Sequence, residues 1–73
     1  MTAPTPIGYR TGCKVAWDYY ATEADAQAAA VKAREDAADK WALGYDFGYQ
    51  VPGGIRHIAA HPEHGECWEV CIP

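Results

Sequence analysis

Five residues near the C-terminus have side chains that metals and nucleophilic chemistry use: His57, His61, His64, Cys67 and Cys71. Imidazole and thiolate are preferred zinc ligands, and a closed tetrahedral site would staple a small chain. Their spacing argues against it. Zinc ribbons and fingers pair ligands across a turn, whereas Cys67 and Cys71 fall on one predicted strand, where four residues span roughly 13 Å. The plainer reading makes the cysteines small core hydrophobes and leaves the histidines on a loop. If a metal binds at all, His57, His61, His64 and Cys67 are its candidates, and no cofactor is expected.

Nucleophilic catalysis has few parts to work with. The chain contains no serine and no asparagine, which removes the serine triad and the cysteine-histidine-asparagine set. Cys67 with His64 remains, but Glu66 and Glu69 flank that cysteine and would weaken it as a thiolate. The glycines spell neither a phosphate loop nor a dinucleotide fingerprint. The acidic pairs Asp36 with Asp39 and Glu63 with Glu66 lack the calcium-loop pattern around them. The chain is therefore read as noncatalytic.

The aromatic residues are harder to absorb. Three tryptophans, five tyrosines and one phenylalanine occur in 73 residues, more than one helix-covered sheet face can bury. Exposed tyrosine and tryptophan mark interaction surfaces. Tyr9, Trp17, Tyr20, Trp41 and Tyr49 are the aromatic candidates. Gln27 and Arg34 join them because they interrupt an otherwise apolar helix face.

The elements that must position these side chains follow from local patterns. Seventy-three residues allow one core, which buries only ~60% of the surface the unfolded chain exposes. The composition, 49% hydrophobic and 22% charged, is that of a folded domain. Pro4 and Pro6 make the start an extended lead-in, so residues 1–11 are read as a tail and 12–73 as a single domain. Cys13 to Tyr20 alternate as a half-buried strand, with Trp17 and Tyr19 on one face and Tyr20 on the other.

Thr22 caps the next element, with Asp25 three residues on, and no glycine or proline interrupts the alanine-rich run from Glu23 to Leu43 before Gly44. A helix of this length spans roughly 31 Å. Ala26, Ala30, Ala33, Ala37 and Trp41 share an arc that Val31, Ala38 and Ala42 widen and that Gln27 and Arg34 divide. Either those two lie at a sheet edge, or the helix meets both the sheet and a partner chain. Tyr45 to Val51, Ile55 to Ala60 and Glu66 to Ile72 read as strands separated by Pro52-Gly53-Gly54 and by Pro62 to Gly65. In the last strand, Trp68, Val70 and Ile72 face one way and Cys67, Glu69 and Cys71 the other. The expected fold is α+β: one long alanine-rich helix packed on a small antiparallel sheet, in the order β-α-β-β-β.

Charge and cysteine usage set the expected context. A net charge of -4, with Arg10, Lys14, Lys32, Arg34, Lys40 and Arg56 scattered, disfavours nucleic acid as a partner. An acidic mimic of nucleic acid that blocks a DNA-binding enzyme is a further alternative, though basic residues interrupt the acidic ones. No leader pattern and no long apolar run is seen, so neither export nor membrane spanning is expected. Three cysteines point to a reducing cytoplasm; Cys13 could pair with Cys67 or Cys71 only if the first and last strands are neighbours.

The segment Gly-Tyr-Asp-Phe-Gly-Tyr-Gln-Val-Pro-Gly at residues 44–53, with the closing Trp-Glu-Val-Cys-Ile-Pro, resembles small accessory proteins encoded by actinobacteriophages of the mycobacteriophage type and by their hosts. The resemblance implies action in the host bacterial cytoplasm by binding a host protein or by self-association. It implies no activity, cofactor or catalytic residue.

Overall fold

The computed structural model describes residues 3–73. Its elements are β1 (Gly8–Thr11), β2 (Ala16–Tyr20), α1 (Glu23–Ala42), β3 (Ile55–His61) and β4 (Gly65–Ile72). The fold is α+β, with all four strands in one antiparallel sheet of order β1-β2-β4-β3. Because β2 and β3 each run antiparallel to β4, they run parallel to each other, and α1 makes the crossover between them. The element order is therefore β-β-α-β-β, not the expected β-α-β-β-β.

Two differences from the sequence reading produce that order. Residues 8–11 are not tail but an edge strand, paired from Gly8↔Tyr19 to Thr11↔Ala16. Its hairpin turn is closed by the Gly12 N–H bonding the Val15 carbonyl at 2.8 Å, which puts Cys13 in the turn and starts β2 at Ala16. Tyr45 to Val51 forms turns, not a strand. There the Asp46 carboxylate accepts the Gly48 N–H at 2.8 Å, and Gly48 takes φ +65°, a left-handed conformation that ends extension.

Helix α1 starts and stops by local rules. Thr22 holds extended dihedrals and its hydroxyl accepts the Asp25 N–H at 3.2 Å. At the other end the Gly44 and Tyr45 N–H groups return to the Trp41 and Lys40 carbonyls, both at 3.0 Å, a left-handed Schellman closure. The buried stripe is narrower than the wheel suggests: only Ala26, Ala30 and Ala33 are buried, while Val31 and Trp41 are exposed. Ala26 and Ala30 pack with Tyr20 and Val70, and Ala29, Trp68 and Ile72 join at the margin. Methyl side chains let the helix backbone approach β4 closely, so the aromatic and branched strand residues supply the volume. A second cluster of Val15, Phe47 and Cys71, flanked by Trp17 and Ala37, anchors the loop after the helix.

Gln27 and Arg34 both find hydrogen-bond partners within the chain. Gln27 turns along the helix surface to Glu23, at 3.0 Å. Arg34 lies at the edge, its Nη1 donating to the Gly53 carbonyl at 3.3 Å. Gly53 itself has φ +90°, and a Cβ there would collide with the Arg34 stem and stand 3.2 Å from the Ala30 carbonyl. Only glycine fits that crossing of loop and helix.

Candidate interaction face

One helix covers one face of the sheet. Cross-strand pairing assigns the other face: Arg10 opposite Trp17, Trp17 opposite Cys71, Tyr19 opposite Glu69, Arg56 opposite Glu69 and Ile58 opposite Cys67. No helix or strand lies over these residues.

At its centre stands Glu69, whose side chain is 7% exposed, between two arginines that are 52% and 67% exposed. Arg10 Nη2 lies 3.7 Å and Arg56 Nη2 3.3 Å from the same oxygen, Oε2. Arg10 also donates through Nε to the Tyr19 hydroxyl at 3.4 Å, and its guanidinium lies 3.9 Å from the Trp17 ring centroid. The Tyr19 hydrogen bond, with help from the Glu69 charge, holds the Arg10 guanidinium above its ordinary value. Beside this triad a cavity of about 280 Å³ is lined by Trp17, Tyr49, Val51, Ile55, Arg56 and Glu69.

The histidines divide between the two faces. His61 and His64 stack on each other at 4.7 Å and both lie against Tyr19, at 4.9 and 5.5 Å. The His61 Nδ1 accepts the Glu63 N–H at 3.0 Å. His57 sits on the helix side, stacked on Trp68 at 4.9 Å and 3.0 Å from a Glu66 oxygen. His57, His61, His64 and Cys67 therefore do not converge, and no group of three or more metal-ligating side chains is assembled among the described residues.

All three cysteines are free. β2 and β4 are neighbours, as a Cys13 bridge required, but Cys13 lies exposed in the β1–β2 turn while Cys67 and Cys71 are buried. Burial, and secondarily the Glu69 charge, pushes both buried thiols above their ordinary range.

Of the seven sequence candidates, Trp17 and Tyr49 meet at the outer cavity. Tyr9 is exposed on β1 opposite Asp18, so it belongs to the helix side. Trp41 is exposed at the end of α1, 6.5 Å from the Phe47 ring. Tyr20 is only 4% exposed and belongs to the core, so it offers no aromatic surface. Gln27 and Arg34 are occupied as described above. The residues that sequence reasoning missed are Arg10, Tyr19, Arg56 and Glu69, which become neighbours only through the strand register. The helix acids are interleaved with Lys32, Arg34 and Lys40, and Lys32 bonds both oxygens of Asp36 at 3.2 and 3.3 Å.

Among the described residues no helix is long and apolar enough to cross a membrane. No protein-family model, curated protein or solved structure gives a significant match to this chain.

Proposed function

We propose that this chain is a noncatalytic binding domain, a bacteriophage accessory protein that acts in the host bacterial cytoplasm by holding another protein against the outer face of its sheet. One observation carries the reading: the sheet face opposite α1 lies under no helix or strand, and where the loop after α1 crosses one end of it, packing Phe47 against Cys71 and Trp17, Tyr49 stands exposed beside Arg56 and Glu69, with Arg10 over Trp17. Arginine, tyrosine and tryptophan are the side chains enriched at protein interfaces. Each arginine meets Glu69 through one nitrogen and keeps further donors toward solvent, so an acidic segment of a partner complements the pair. The phage context comes from the resemblance of residues 44–53, which bring Tyr49 to this face. Nucleic acid suits the face less well, since Arg10 already covers the Trp17 ring and the net charge is -4.

The test compares the native chain with a Tyr49→Ala, Arg56→Glu double variant by light scattering after size exclusion and by capture from host lysate. The expected result is a host protein, or a second copy of this chain, that the native protein retains and the variant loses by at least tenfold. A strict monomer whose captured set is identical in both forms sinks the proposal.

A further inference from the structure

The two edges of the sheet differ. β1 is four residues long and follows Pro4 and Pro6, features that keep an edge from pairing with another chain. β3 is a seven-residue strand without proline, and most of it is exposed. Its pairing with β4 fixes which backbone groups are free. The Cys71 N–H donates to the Gly54 carbonyl at 3.0 Å, beside the Ile55↔Val70 pair. By the alternation of an antiparallel ladder, Arg56 and Ile58 then exchange hydrogen bonds with Glu69 and Cys67, while Ile55 and His57 turn their N–H and C=O groups to the open side. Among the described residues those outward groups have no backbone partner. The register shifts between Ile58 and His61, so the regular open edge runs from Gly54 to Ile58.

The charges that border this edge favour one sign of partner. Arg56 is 67% exposed on the outer face and spends one nitrogen on Glu69, which is 7% exposed and shared with Arg10. The acids nearby are engaged or distant: Glu66 holds His57 on the helix side, Asp46 pairs with Lys14 at 2.8 Å, and Glu63 lies in the turn beyond the register shift. Neither edge strand contains an acid, β1 reading Gly-Tyr-Arg-Thr and β3 Ile-Arg-His-Ile-Ala-Ala-His. A second copy paired edge to edge would therefore set each arginine against an uncharged residue or another arginine.

Resting on the reading of this chain as a binding domain, we propose that an extended acidic segment of the partner adds to the sheet as an antiparallel strand along Gly54 to Ile58, with a carboxylate opposite Arg56. The segment's backbone bonds the outward N–H and C=O groups of Ile55 and His57. Arg56 then falls in the non-hydrogen-bonded pair between them, where opposite Cα atoms are only about 4.5 Å apart and side chains meet closely. Alternate side chains of the segment lie on the two faces, the acid on the outer face beside the cavity at Tyr49 and Val51, and its neighbours on the helix side beside Ile55 and His57. Backbone pairing supplies the affinity, and Arg56 selects the sign of charge.

The full chain is titrated at pH 7 and low salt with acetyl-Thr-Val-Glu-Val-Thr-amide, and with the same peptide carrying Gln or Lys at its centre, and followed by amide chemical shifts and hydrogen exchange. The expected result is perturbation centred on residues 54–58, slower exchange of the Ile55 and His57 amides, and the Glu peptide bound at least tenfold more tightly than the Lys peptide. N-methylation of both valines should abolish binding, whereas N-methylation of the glutamate should not. Arg56→Gln should bring the Glu and Gln peptides to equal affinity, and His57→Pro should remove binding without touching a β4 hydrogen bond. No perturbation at millimolar Glu peptide, equal or tighter binding of the Lys peptide, or unchanged binding after valine methylation overturns the proposal. So does slowed exchange at Ile55 and His57 that grows with protein concentration in the absence of peptide, since a second copy would then hold the edge. The peptide comparisons on the native chain decide the matter even if a variant fails to fold. Host capture separates this site from the broader reading. Capture lost in the Tyr49→Ala, Arg56→Glu variant but retained by folded His57→Pro keeps the face and overturns the added strand; peptide binding without any capture keeps the strand and removes the host partner.

Discussion

The Arg10–Glu69–Arg56 triad predicts an unequal response to removing its two signs of charge. At an effective dielectric near 20, unit charges at these separations attract by roughly 4.5–5 kcal/mol, but both guanidiniums are more than half exposed and remain hydrated. The net value of each pair then falls toward that of a surface salt bridge, about 1 kcal/mol or less. Glu69→Gln frees two arginines that water can solvate, so the loss should stay near 1 kcal/mol. Replacing both arginines by methionine keeps their stems over Trp17 but leaves a carboxylate that is 7% exposed without a partner. That desolvation should cost about 3 kcal/mol, with the double variant losing more than the sum of the singles. For a chain of this size the shift in Tm is about 12–24 °C against about 4–8 °C for Glu69→Gln. Urea denaturation and thermal melts of the native chain, Glu69→Gln, the two single methionine variants and the double variant supply the comparison. A Glu69→Gln loss equal to or larger than that of the double methionine variant would refute the argument that burial of the carboxylate decides the cost.

Three further outcomes can be checked on the same protein. Gly53→Ala forces a side chain into a left-handed residue and against Arg34 and the Ala30 carbonyl, so it should lose about 2 kcal/mol or more in denaturant unfolding. Iodoacetamide should modify the exposed Cys13 quickly and reach Cys67 and Cys71 only after unfolding, because those thiols are buried and held protonated; mass spectrometry counting three fast equivalents contradicts this. The Asp18 carboxyl is raised in the folded state, so the folded chain binds that proton more tightly, and stability from this group is present below the unfolded pKa of about 3.9 and lost as pH rises through the folded value. Asp18→Asn should therefore be at least as stable as the native chain at pH 7, with its relative advantage shrinking toward pH 4; a variant clearly less stable at neutral pH goes against the sign.

What could be read from the sequence divides by the range of the forces involved. Helix α1 was legible because its cap at Thr22, its alanine run and its closure at Gly44 are all local. The alternation of β4 was legible too, since a central strand with two different faces separates Trp68, Val70 and Ile72 from Cys67, Glu69 and Cys71. β1 was not legible: Gly-Tyr-Arg-Thr has no apolar period, and it becomes a strand only because β2 offers it an edge. Tyr45 to Val51 misled in the opposite sense, with a strand-like aromatic pattern overridden by the Asp46 turn and the glycine at 48. The candidate face depended on both errors. Arg10 lay in the supposed tail, and Tyr49 in a supposed strand, so neither could be placed beside Glu69 or Trp17 until the register was known.

The register also explains how so small a chain keeps a sheet face without a covering layer. Tyr19 is only 4% exposed, although no helix or strand lies over it. His61 and His64 stack on its ring and Arg10 bonds its hydroxyl, while the same guanidinium lies over Trp17. Long side chains with polar ends thus do the work of a second layer, burying aromatic surface while their charged or imidazole ends stay in water. This arrangement couples stability to the proposed interface, because Arg10 both covers the face and presents charge to a partner. Methionine at position 10 separates the two roles: it preserves the cover over Trp17 and removes the charge. If the face recognises an acidic segment, Arg10→Met should weaken capture by at least tenfold, while its own stability loss stays near 1 kcal/mol because Arg56 still pairs with Glu69. Equal capture by the variant would leave Arg10 a structural cover only, and would move the interface to the Tyr49 and Arg56 side of the cavity.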